Sequence, residues 1–398
     1  MFVPFLTIAA TGLAVAAVPA EVTPQAVQIV SDSEIIIDGT TYHSWEEVGE
    51  SGYYQTLEGR CHTEPSLVQG DIRGTAADCS YNATSVEAQY EPSNGLIRVQ
   101  VVVHVIQNSS GTGYISPAMV QSQIDILNED YQAIPGTNGA PGSDGQIEFF
   151  LATEDPAGNP TSGITYSTNN TWFNDGGGYY NTLAWDTNRY LNIYTNSASG
   201  ALGYVPDLPQ GGIAGSTADR VVVLYSAFGR NSPLHPYHLG RSATHEIGHY
   251  FGLYHTFQNG CASASGCSSN GDRICDTNPE QSPTFGCPGS LNSCGLPAPF
   301  HNYLDYSDDI CMNNFTHDQI NRMRCTIEHY RPNLPVTGPS GCNPADVAEP
   351  YGVLDLNDVQ AFIAGFIGQS AISDLNGDGV YDLVDVQMFI TAFNTGCP

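Results

Sequence analysis

The chain has 398 residues, with 11 Lys+Arg against 41 Asp+Glu for a formal net charge of −30. Every cation is an arginine, because the sequence contains no lysine. That length can bury a substantial core in two or three folded units, and so strong a polyanion argues against nucleic acid or an anionic membrane as partner. An acidic protein kept soluble outside the cell accounts for most of the charge, with some of the acids available to bind calcium.

Residues 2–20, FVPFLTIAATGLAVAAVPA, form an apolar run ending in small residues and predict a secretory signal peptide over 1–20. No later segment has the apolar length to span a membrane. Eleven cysteines in an exported chain imply an oxidising compartment and several disulfides. Their odd number leaves at least one thiol free, metal-bound or paired with another molecule. Residues 21–95 are polar, with VQIV and EIIID as the strand-like runs, and read as a propeptide or accessory region. Within it, EGRCHTEP carries Cys61, for which a disulfide with Cys79 is one open reading.

From residue 96 the pattern changes. IRVQVVVHVIQ predicts a strand, and PAMVQSQIDILNEDYQ a helix with Met119, Val120, Ile124, Ile126 and Leu127 at helical spacing. QIEFFLA, RYLNIYT and RVVVLYS predict further strands between Gly/Asn/Pro/Ser turns. The helix RSATHEIGHYFGLYH follows, then a cysteine- and glycine-rich stretch that needs staples rather than a core, then the helix THDQINRMRCTIEHY. The expectation is a mixed α/β (α+β) catalytic domain over 96–333, with a Pro/Gly linker over 334–341. Residues 342–398 hold an internal repeat, GVLDLNDVQAFIAGF against GVYDLVDVQMFITAF, each copy an acidic turn running into an amphipathic helix. Cys342 and Cys397 bracket the repeat and invite a disulfide, and the two helices are expected to pack on each other.

The chemistry concentrates in HEIGHYFGLYH, residues 245–255. His245 and His249, four apart on a helix, lie on one face and can reach a single Zn²⁺. Glu246 stands beside them, placed to take a proton from water polarised by the metal rather than to bind it. Gly252 lets the helix break, so that His255 can approach as third ligand and leave the fourth position open, the mark of a catalytic site. The pattern HExxHxxGxxH is the metzincin signature.

Several further stretches resemble the pappalysin family of metzincin metalloproteases: VVVHVIQ, LNEDY, LNIYT, HTFQNGC, GDRICDTNP and HNYLDYSDDICMNNFTHDQ. The resemblance implies a secreted endopeptidase with a twisted mixed sheet above a zinc helix. It implies that Tyr306 stabilises the oxyanion of the tetrahedral intermediate. It further implies that Asp309 lines the pocket for the residue after the scissile bond, giving a preference for Arg or Lys there. Asp272, Asp276 and Thr277 match a region that carries structural calcium. Where the family has a methionine beneath the zinc ligands, this chain has Leu304, a swap of similar volume that should cost less than about 1.5 kcal/mol. The resemblance also implies disulfides Cys287–Cys311 and Cys294 with Cys261 or Cys267, leaving Cys79, Cys275 and Cys325 unassigned. Finally, Arg60-Cys61-His62-Thr63 resembles the family's propeptide motif, whose thiolate fills the open zinc position. Cys61 is then a zinc ligand of the latent form, although the family usually has glycine where His62 stands.

The second C-terminal copy sets Asp374, Asn376, Asp378, Asp382 and Asp385 at positions 1, 3, 5, 9 and 12 of an EF-hand-like calcium loop with glycine at position 6. It resembles a dockerin, a small all-α module that plugs into a cohesin-like or cell-surface partner. The first copy keeps Asp355 and Asp358 but has Ala348 and Pro350 where carboxylates are needed, so one calcium is expected there rather than two. Two other functions compete with a latent zinc endopeptidase acting on proteins or peptides. One is a weak or inactive extracellular binding or assembly protein on the same fold, and the other a zinc hydrolase acting on a non-peptide bond.

Overall fold

The computed structural model describes residues 27–64, 90–262, 266–267, 270–336, 344–348, 353–368, 371–373, 375 and 380–396. The expected signal peptide, Cys79, Cys342, Cys397, Asp374, Asn376 and Asp378 lie outside the described residues.

Residues 27–64 are more ordered than their weak periodicity predicts. Strands β1 (Gln28–Ser31), β2 (Glu34–Ile37) and β3 (Thr40–Tyr42) form an antiparallel sheet. Helix α1 (Trp45–Glu50) follows, its N-terminus capped by Ser44, whose hydroxyl accepts from Glu47 N–H at 3.2 Å. The one-turn helix α2 (Leu57–Arg60) leads into Cys61. Strands of three or four residues give too short a window for alternation to register, and they were legible only as VQIV and EIII.

The expected catalytic unit is built on one long strand. β4 (Ile97–Gln107) pairs in parallel with β5 (Ile147–Leu151) along its first half, with β6 (Ile164–Thr168) along its second, and with β7 (Leu191–Asn196) on the other edge. Burial on both faces explains its nearly continuous apolar run. Helix α3 (Pro117–Tyr131) is the crossover from β4 to β5, opened by Ser116 accepting from Met119 N–H at 3.2 Å. Two single-turn helices, α4 (Asn170–Phe173) and α5 (Tyr180–Leu183), precede β7. Beyond β7, β8 (Gly203–Tyr204) closes the sheet as an edge strand antiparallel to β9 (Val221–Leu224). Helix α6 (Arg241–Tyr250) packs under β8, β9 and α3, and helix α7 (His317–Tyr330) opens with a capping box of Thr316 and Gln319.

The cysteine-rich stretch is stapled by Cys261–Cys294, Cys267–Cys275 and Cys287–Cys311. Cys261 is thus the partner of Cys294, and the unassigned Cys275 takes Cys267. Cys325 is also disulfide-bonded. Contacts of the unit extend past both of its expected ends. Tyr90–Asn94 is held to α7, with Arg324 donating to the carbonyls of Tyr90 and Gly95 at 3.0 and 2.8 Å. Leu334, assigned to the linker from its proline neighbours, is fully buried, and Val336 N–H donates to Arg98 O at 2.9 Å. Composition marks flexibility only on average; here a buried leucine and a strand-edge hydrogen bond override it.

The C-terminal helices α8 (Leu356–Gly368) and α9 (Leu383–Thr395) pack on each other as expected, with Phe362 stacked on Phe389 at 4.1 Å in a small core of their own.

Candidate metal centre and its covering segment

Every residue of α6 is buried, so the placement of its polar side chains depends on the partners they meet. His245 Nδ1 is 2.6 Å from Tyr303 O, and His249 Nδ1 is 2.8 Å from Leu253 O. Each carbonyl takes the Nδ1 proton and leaves Nε2 as an acceptor. Gly252 at φ +89° ends the helix and turns the chain so that His255 faces back toward it. The three Nε2 atoms of His245, His249 and His255 lie 3.0–3.2 Å from one another. Burial lowers all three rings below the ordinary imidazole range, His249 to about 4, so they stand neutral. Three neutral acceptors converging at this spacing suit a cation. Around a tetrahedral ion with ligands at about 2.0–2.1 Å, neighbouring nitrogens stand roughly 3.3 Å apart.

The floor of the centre is the loop Asn302–Tyr306. Leu304 is fully buried and fits against the glycine gap in α6: a Cβ built on Gly248 would lie 2.9 Å from Leu304 Cδ2. Its carbonyl accepts from Thr256 N–H at 3.2 Å, which fixes the chain just after His255. Leu304, which stands where the resemblance expects methionine, thus packs directly against the metal helix. The Tyr306 hydroxyl is 3.3 Å from His255 Nε2, and the ring is buried between Phe257 and Phe285. Below, Arg241 donates to Asp130 at 3.1 Å, and Thr244 and Tyr303 donate to the same carboxylate at 2.7 Å. This buried knot ties α3, α6 and the floor loop together, and no local sequence signal announces it.

Residues 59–63 cover the centre. Leu202 N–H donates to Gly59 O at 3.1 Å and His62 N–H to Gly203 O at 3.2 Å, so the segment lies along the edge strand β8. Cys61 is a buried free thiol, which excludes the Cys61–Cys79 disulfide. Its Sγ joins the three histidines in a group whose ligand atoms all fall within 4.8 Å of one another. An N₃S set of neutral imidazoles and thiolate is one that zinc accepts. Burial raises the thiol well above its usual range, and nearby Glu246 adds to this. A bound cation acts the opposite way on a thiol. Glu246 is held as well, with the Thr63 hydroxyl donating to its carboxylate at 3.1 Å and Cys61 Sγ at 3.5 Å. Burial pushes Glu246 up to about 8. Two contacts went unread in the sequence. Thr63 touches the carboxylate, and Arg60 reaches past the centre to donate to Ser307 O at 2.8 Å with its guanidinium 4.4 Å from the Tyr237 ring centroid.

The peptidase M43 family, described as pregnancy-associated plasma protein-A, matches over residues 179–328. Extracellular metalloprotease 1 of Coccidioides posadasii (strain C735) is 38% identical over 245 residues, covering 59% of this chain and 78% of that protein. The chain belongs to this metalloprotease family. It is a metalloendopeptidase, and the family implies zinc, which the donor set of the histidine cluster fits. A mixed α/β metzincin-like fold is shared with a promirolysin mutant of Tannerella forsythia, at TM-score 0.52 and 35% identity over 62% of this chain and 86% of that one. Mature mirolysin from the same organism, in complex with a cleaved peptide, matches at TM-score 0.50 and 35% identity over 61% and 98%.

The other residues expected at sites lie away from the histidine cluster's ligand group. Asp309 is buried at the N-terminus of α6, its Oδ2 accepting from Leu239 and Arg241 N–H at 2.8 and 3.3 Å. It thus caps the metal helix, and it reaches Arg60 only through its field. Asp272 accepts from Thr277 Oγ1 at 2.6 Å and Ile274 N–H at 3.1 Å, whereas Asp276 accepts from Asp318 N–H at 2.9 Å at the start of α7. Among the described residues, Cys61 and the three histidines are the one group of three or more His, Cys, Asp or Glu gathered closely enough for a metal. In the repeat, Asp385 accepts from Leu375 and Asp382 N–H at 2.8 and 3.0 Å, and Asp358 accepts from Val347 and Asp355 N–H at 2.8 and 2.9 Å. The two copies thus share one hydrogen-bonding scheme.

Proposed function

We propose that this chain is a secreted zinc endopeptidase, latent until its propeptide, residues 21–95, is removed, that cleaves before Arg or Lys. The observation that carries it is the convergence of three neutral Nε2 atoms at 3.0–3.2 Å with the Glu246 carboxylate beside them. Zinc, held by His245, His249 and His255, would polarise the scissile carbonyl and acidify a water molecule. Glu246 would accept that water's proton and return it to the leaving amine. The Tyr306 hydroxyl, 3.3 Å from His255 Nε2, would donate to the developing oxyanion. An extended substrate would lie along β8 and the residue before it, where Leu202 N–H and Gly203 O are occupied by the covering segment. In the latent chain, Cys61 would fill the open metal position while Thr63 holds the carboxylate of Glu246. The neighbouring folds bear names of a pro-form and of a mature form with a cleaved peptide, which fits a latent and an active state on one scaffold.

The basic preference is supported by Arg60. Its guanidinium lies over Tyr237, bonded to Ser307 O, with Asp308 and Asp309 close enough to feel its charge. A substrate arginine could use the same surroundings. Calcium is proposed at the loop of Asp374, Asn376, Asp378, Asp382 and Asp385, and at Asp272 and Thr277 with Asp276 nearby. The α8–α9 pair is proposed as a dockerin-like module for a cohesin-like or cell-surface partner. Casein zymography of the wild-type chain beside Glu246→Ala tests the core reading: the wild type clears the gel and the variant does not. Equal clearing by both would sink it.

A further inference from the structure

We infer that residues 27–64 form a detachable inhibitor that stays on the catalytic unit after the chain is severed between Glu64 and Tyr90, so a single cut there does not open the site. The inference rests on the latency reading above and extends it from a cysteine latch to a docked unit.

The apolar side chains of this segment have no core of their own. Ile29, Ile35, Ile37, Trp45, Val48 and Tyr54 are each at most 4% exposed, and all belong to the cluster that contains Tyr225, Phe228, Leu234 and Tyr237 of the catalytic unit. Three short strands and two short helices bury too little to hold together alone; here the catalytic unit supplies the missing half. Polar contacts fix the docking at both ends. Tyr225 Oη and Trp45 Nε1 donate to Asp32 Oδ1 at 2.6 and 3.0 Å, Asn108 Nδ2 donates to Val30 O at 3.2 Å, and Tyr237 Oη donates to Tyr54 O at 3.2 Å. The backbones meet without side chains between them: a Cβ on Gly49 of α1 would lie 1.8 Å from His235 O. None of these contacts involves the metal or Cys61, and Cys61 is a free thiol. Cutting the chain beyond Glu64 removes the connection and leaves every one of them in place. Severance therefore costs the hold only its intramolecular advantage.

The test uses the full chain with a recognition sequence for a site-specific protease inserted after Gly70. After cutting, native size-exclusion chromatography is expected to carry the N-terminal fragment with the remainder, and to do so equally when the chain also bears Cys61→Ala. Gly49→Ala, which drives a methyl into the His235 carbonyl, is expected to release the fragment about tenfold faster. Should Gly49→Ala fail to fold before cutting, Asp32→Ala, which strips the acceptor from Tyr225 and Trp45, is expected to speed release in the same direction. Full separation of the wild-type fragment on the column, or its loss in the Cys61→Ala chain alone, would overturn the inference. Activity is read separately. If the fragment co-elutes but the remainder stays inactive once mild denaturant has stripped it, the peptidase reading fails and the docking stands.

Discussion

The two accessory regions of the chain resolve the same problem in opposite ways. Residues 27–64 carry Ile35, Val48 and Trp45 into the core of the catalytic unit, where they are almost wholly buried. Helices α8 and α9 instead complete a core between themselves through Phe362 and Phe389, and leave Ile367 78% and Leu383 67% exposed. The first region is a part that the catalytic unit needs in order to be covered. The second closes a core between its own two helices and leaves apolar side chains exposed. Accessory segments are thus told apart by where their apolar side chains find partners, not by how many they have.

The comparison can be broken at the centre itself. Glu246→Ala should lower kcat/KM by about 100- to 10,000-fold with little change in melting temperature, measured on chain freed of residues 27–64. A loss of structure instead would assign Glu246 to stability. Cys61→Ala should give a precursor with measurable hydrolysis before any cut, although residues 27–64 remain docked; a fully silent precursor would mean that docking alone blocks the site.

Smaller effects sharpen the contrast. Phe389→Ala should destabilise the α8–α9 pair by about 3–5 kcal/mol and leave the melting of the catalytic unit unmoved, as two calorimetric transitions would report. The catalytic unit should show its own acid limb. Burial holds His104 at about 4 against the ordinary 6.5, so between those values the unfolded chain binds the proton that the folded chain refuses. Stability is then fully present above about pH 6.5 and falls as pH drops toward 4. His104→Gln, placed between Thr165 and Asn192, should flatten that limb in urea titrations, and an unchanged slope would clear the ring of responsibility. Smallest of all, ending the chain after Val336 should change kcat/KM on a small peptide by no more than about twofold.

The sequence by itself determined what lies within one helix turn or one strand. His245, Glu246 and His249 share a face because of helical spacing, Gly252 announces the break that brings in His255, and the apolar run of β4 announces a strand buried on both sides. Cys61 stood out through odd parity and through its likeness to a known motif. Tertiary structure alone decided what joins distant segments. Arg60 meets Ser307, Thr63 meets Glu246, and Asp309 accepts from backbone N–H groups at the start of α6. The pairing of Cys267 with Cys275 and the docking of Trp45 beside Tyr225 belong with these. Periodicity records only which side of an element avoids water. Which surface then covers that side is settled by packing across the whole fold, where each buried polar group must also find its partner.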